Sequence, residues 1–169
     1  MVAYNVLFLC TGNSARSILA EMLLNMRGAG RFRAFSAGSR PKGEVHPLAL
    51  EVLREAGVRA RGARSKSWDE FAGPDAPAMD FVITVCGNAA NETCPAWPGH
   101  PATAHWGVDD PAAVEGSPEE QRRAFRRAYE ELDARVRMLV DLPLETLDRA
   151  AAQAEVRRIA ERGEGRSAN

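Results

Sequence analysis

No stretch of this 169-residue sequence is apolar over the length a membrane helix needs. The first nine residues carry neither the basic start nor the long apolar core of a secretion signal, so the chain is expected in the cytoplasm. Excess charge is lacking too. Twenty-two basic residues face 23 acidic ones, a net of -1, which removes any global field for nucleic acid or an anionic membrane. Lysine is scarce beside arginine, which reads as compositional bias and not as function. Cysteine is scarce as well. Three thiols, an odd number in a reducing compartment, argue against a disulfide framework and for metal binding or catalysis. There are no repeats and no low-complexity tract ahead of the tail. What remains is 45% hydrophobic, enough for one domain with a sizeable core.

Strand and helix patterns alternate along the chain. Residues 4–10 form a continuous apolar run ended by Thr-Gly-Asn, which predicts a buried strand. From Ser17, the residues Ile18, Leu19, Met22, Leu23 and Met26 recur at helical spacing until Gly28 and Gly30. A short strand is expected at 34–36, a helix at 47–56 and a helical turn at 67–71. Residues 80–86 repeat the buried-strand pattern, 87–101 read as a loop, and a short strand follows near 103–106. Ser117-Pro118-Glu119-Glu120 gives cap, first-turn proline and first-turn acids for a long helix over 118–142. Residues 144–160 predict one more helix, and 163–169 a frayed end. The alternation implies an α/β fold, a mostly parallel sheet covered on both faces, with ligands at the carboxyl ends of the strands. Cys10 and Cys86 both lie at such ends.

The segment Cys10-Thr11-Gly12-Asn13-Ser14-Ala15-Arg16-Ser17 has the composition of a cradle for a tetrahedral oxyanion. A thiolate is a nucleophile, and loop amides opening a helix both stabilise it and bind anion oxygens. Arg16 supplies a planar fork that matches two oxygens of the anion. Gly12 lets the backbone curl inward, Asn13 tolerates left-handed geometry, and Ser17 can donate to the thiolate.

This segment, with the strand before it and the helix after it, resembles the signature of the low-molecular-weight protein tyrosine phosphatase superfamily. It is closest to the arsenate reductases built on that fold. The resemblance covers about residues 4–142. It implies a three-layer sandwich around a four-stranded sheet, with 1–142 as the phosphatase-like domain and 143–169 as a C-terminal helical extension. Asp110-Pro111 resembles the family's acid loop, which makes Asp110 the general acid and Asp109 the alternative. Cys86 and Cys94 then imply a relay. Cys10 attacks arsenic, Cys86 attacks Cys10 and releases arsenite, and Cys94 passes the disulfide on to Cys86–Cys94. An external dithiol protein, thioredoxin or glutaredoxin, would reset the chain, one residue more than in the best-known thioredoxin-coupled members separating Cys86 from Cys94. Asn13, Glu21 and Ser36 match positions that bind potassium in some relatives. The fourth ligand position falls on Ser67, with Asp69 nearby.

Other readings compete. A zinc site from Cys86, Cys94, His100 and His105 lacks close Cys-x2-4-Cys spacing. His46 and Trp68 read as structural or as rim residues, and His105 and Trp106 as anchors of the acid loop. A phosphatase acting on phosphotyrosine is the alternative enzyme. It needs an aromatic wall, and the only tyrosines, Tyr4 and Tyr129, fall in predicted core elements. A non-catalytic oxyanion-binding or redox-sensing module would leave the nucleophile, clamp, acid and resolving thiols without use. The substrate expectation is therefore arsenate, handled by a monomer with no nucleic-acid or membrane partner.

Overall fold

The computed structural model describes residues 3–86 and 97–167, with side chains through 161. Four strands, β1 (Tyr4–Leu9), β2 (Phe32–Ala37), β3 (Phe81–Thr84) and β4 (Ala102–His105), form one sheet in the order β2-β1-β3-β4. All neighbouring pairs are parallel. β1 is central because Val6, Leu7, Phe8 and Leu9 are all buried, leaving neither face to solvent. Val6 and Phe8 join the larger core, which takes the apolar sides of helices α1 (Arg16–Arg27), α2 (Pro47–Glu55), α3 (Pro118–Val140) and α4 (Arg149–Ser167). Leu7 and Leu9 pack in a second cluster with Ala37, Phe71, Met79 and Val82, beside Trp68 and Trp97. This is the fold the α/β pattern predicts.

The register fixes where function can sit. Leu9 pairs with both Ala37 and Thr84, and Thr84 pairs with His105. All four strands thus end at one level and release the segments after Leu9, Ala37, Thr84 and His105 on one side of the sheet.

Three expectations are adjusted. β2 begins at Phe32, two residues before the expected strand, since Arg33 is its exposed position and interrupts the apolar run. Residues 144–160 are not one helix. A short helical turn, Leu144–Thr146, precedes α4, whose start is capped by Asp148 accepting from the Ala151 amide at 2.7 Å. The expected frayed end is helical as far as Ser167. The extension shares the main core through Ala152, Val156, Ile159 and Ala160.

Candidate active site

The site begins with the loop between β1 and α1. Three of its carbonyls are tied outward. Thr11 O accepts from the Arg40 amide, Gly12 O from the Lys42 amide and Ser65 Oγ, and Ser14 O from the His46 amide. In a trans peptide the carbonyl and the next N–H point opposite ways. The amides of Gly12, Asn13 and Ala15 are thereby turned toward the inside of the loop, where the Asn13 amide favours the Cys10 thiolate. α1 opens with no side-chain cap and no acidic residue in its first turn, so its first amides also remain for an anion.

Close approach by β2 closes the cradle from outside. A Cβ on Gly38 would lie 2.4 Å from Thr11 O and 2.8 Å from Cys10 O, so only glycine fits there. The inner side is a cleft of about 180 Å³ lined by Cys10, Thr11, Gly12, Ser14, Ala15, Arg16, Arg40, Lys42, Asp110 and Ala112. No aromatic ring lines it among the described residues. Tyr4 stacks near Phe32 and Phe81, and Tyr129 lies on α3.

Arg16 reaches the cleft from the first turn of α1. One terminal nitrogen donates to Val108 O at 2.9 Å, and the other lies 3.7 Å from Asp110 Oδ2. Its Nε is buried without a hydrogen-bond partner among the described residues, a donor left for an anion oxygen. Asp110 caps the short turn Pro111–Ala113, its Oδ1 accepting from the Ala112 amide at 3.0 Å. This fixes its side chain at the cleft, whereas Asp109 is exposed and does not line it. The loop that carries Asp110 is pinned by Trp106, which is fully buried and donates from Nε1 to Val156 O. His105 bonds to Thr84 Oγ1 at 2.7 Å. His46 stacks on Phe125 and accepts from the Leu48 amide.

Cys86 leaves the end of β3 directly beneath the loop. Its Sγ accepts from the Thr11 amide at 3.3 Å and lies 3.7 Å from Thr11 Oγ1. It is also the neighbour that acts most strongly on the Cys10 thiol. Both cysteines are buried, and no disulfide joins them to each other. Cys86 and burial push the Cys10 thiol up, while Arg16 and the Asn13 amide pull it down. Two thiols this close titrate as a pair: once one is a thiolate, the second proton is held above the ordinary thiol range. Cys94 lies outside the described residues.

Behind the loop, Asn13 is fully buried at φ 43°. Its amide nitrogen donates to Ser17 Oγ at 2.8 Å and Ser36 Oγ at 3.0 Å. The bond found for Ser17 is therefore to Asn13. Ser36 donates to Glu21, so Asn13, Glu21 and Ser36 do come together. The ammonium of Lys66 lies among them, 3.3 Å from Ser36 Oγ and 3.7 Å from Glu21 Oε1. Burial pushes Lys66 down and Glu21 up, each partly held in its charged form by the other. Ser67 is turned away to cap Asp69.

Gly38, Lys66, Arg40 and Lys42 are the site residues that sequence reasoning missed. Gly38 lies two residues past the strand expected at 34–36. The signal for the lysines was rarity: Lys42 and Lys66 are the only two in the chain, and both lie at this loop.

The family model for low molecular weight phosphotyrosine protein phosphatases matches residues 5–153. A curated arsenate reductase of Bacillus licheniformis is 37% identical over 137 residues, 80% of this chain and 94% of that protein. The crystal structure of arsenate reductase from Archaeoglobus fulgidus matches with TM-score 0.63 at 30% identity, covering 81% of this chain and 99% of that one. A Corynebacterium glutamicum thioredoxin-dependent arsenate reductase matches with TM-score 0.57 at 33% identity, over 81% of this chain and 60% of that one. By sequence and by fold, the chain belongs to the low molecular weight phosphotyrosine protein phosphatase family, alongside its arsenate reductases.

Proposed function

We propose that this protein reduces arsenate to arsenite through a cysteine relay. The observation that carries the reading is a second buried thiol, Cys86, held by the Thr11 amide of the anion loop beside the nucleophile candidate. An ester hydrolase has no use for it, and a two-electron reductase does. The related proteins bearing the name arsenate reductase support the same substrate.

Cys10, as thiolate, attacks As(V) while Asp110 protonates the departing hydroxide to water. Loop amides and the Arg16 fork hold the remaining oxygens. Cys86 then attacks Cys10 Sγ. The S–As bond breaks with its electron pair on arsenic, so arsenic becomes As(III), arsenite leaves, and a Cys10–Cys86 disulfide remains. Cys94 attacks Cys86 and expels the Cys10 thiolate, which restores the nucleophile. A dithiol protein then reduces Cys86–Cys94. Thioredoxin is the reading the Corynebacterium relative supports, with glutaredoxin as the alternative. The need to keep three thiols reduced fits the cytoplasm.

The test is Cys94→Ser. It should yield about one arsenite per chain and stop with Cys10 joined to Cys86. Sustained turnover with thioredoxin would remove Cys94 from the relay. Cys10→Ser should yield no arsenite at all.

A further inference from the structure

Lys66 grips the anion loop from both of its ends. Its backbone N–H donates to Asn13 Oδ1 at 2.8 Å. Its ammonium binds Ser36 Oγ, which in turn accepts from the Asn13 side-chain nitrogen. A third bond, to Arg64 O at 2.9 Å, fixes the ammonium in place. Lys66 is 7% exposed and Glu21 8%, so this is a buried ion pair placed behind the loop and not a surface contact. Asn13 holds a left-handed conformation that a non-glycine residue adopts at some expense, and these bonds are what keep it there.

A potassium ion does not fit this arrangement. It would need oxygens from Asn13, Glu21 and Ser36, yet the Lys66 amide already bonds to Asn13 Oδ1, and the ammonium already supplies a positive charge beside the other two. We propose that the Lys66 ammonium is a covalently tethered replacement for a monovalent cation, a positioning residue that sets Asn13 and hence the anion loop. The inference rests on residues 10–17 being an oxyanion cradle, and not on arsenate being the substrate. Its consequence is an anion site indifferent to potassium, which becomes potassium-dependent when the ammonium is removed.

Phosphate binding by the full-length reduced protein tests this, measured calorimetrically in choline, sodium and potassium chloride at equal ionic strength. The wild type should bind equally in all three. Lys66→Ala should bind about tenfold more weakly in choline, the scale of one charge-assisted hydrogen bond, and regain most of that in potassium. Lys66→Met, which fills the space without the charge, should be weak in every salt. Wild-type affinity that rises with potassium overturns the proposal without any variant having to fold. So does a Lys66→Ala protein that binds as tightly as the wild type in choline. A wild type that binds no phosphate in any salt overturns the cradle reading itself, and the proposal with it.

Discussion

Thr11 donates its amide to Cys86 rather than to an anion, and Cys86 in turn pushes the Cys10 thiol up, so a single loop governs both thiols. In a Cys94→Ser background, ultraviolet thiolate absorbance should show two steps. Cys86→Ala in that background should show one, below the upper step, because the neighbour that pushes Cys10 up is gone. An unchanged upper step would mean that burial alone raises Cys10. Gly38 is the second residue-scale test. Its replacement by Ala drives a methyl into the Thr11 and Cys10 carbonyls, so the loop or β2 must shift. Gly38→Ala should lose about 1–3 kcal/mol of stability in urea unfolding and bind phosphate more weakly. Unaltered binding would show that the cradle tolerates the displacement.

Among the elements, β4 carries the acid loop and α4 covers its outer edge. Gln153 accepts from the Thr103 amide at 3.0 Å, and Arg157 donates to Thr103 O at 2.9 Å, so both backbone groups of that edge residue are bonded. Val156 and Ile159 are buried against the core, and Trp106 hangs from Val156 O. The extension is thus a support for the loop that carries Asp110. Ile159→Ala should destabilise the fold by about 2–4 kcal/mol, read from urea unfolding. A loss below roughly 0.5 kcal/mol would mean that α4 packs only loosely. β1, the loop after it and α1 were legible in the sequence because their signals are local: a continuous apolar run, small loop residues, then helical periodicity. The break between 144 and 149 was less so, since Leu144 and Leu147 keep an apolar rhythm across a turn whose cap, Asp148, is an ordinary loop residue.

At the scale of the whole molecule, a net charge of -1 gives no long-range attraction for anions, yet Arg16, Arg40 and Lys42 converge on one cleft. Capture of substrate is therefore local. Replacing Arg40 and Lys42 together by Ala should raise KM for arsenate several-fold while kcat changes less, with the difference shrinking as salt is added. A kcat loss at constant KM would instead place them in the chemistry. Long-range arrangement is also what sequence reading could not supply. Cys10 and Arg16 were legible by residue type and local context, and Asp110 through the resemblance of Asp110-Pro111 to the family's acid loop. Lys66 was not, because Asn13 and Ser36 lie 53 and 30 positions away from it and its meaning exists only once β2 and α1 are side by side. Gly38 was hidden for the same reason. The central claim, that one chain passes two electrons from its own thiols to arsenic, is tested most directly without any partner protein. Fully reduced wild-type enzyme is mixed with excess arsenate, arsenite is counted per chain, and the new disulfide is mapped by mass spectrometry. The account predicts about one arsenite per chain and a disulfide joining Cys86 to Cys94. No arsenite, with all three thiols intact, would contradict it.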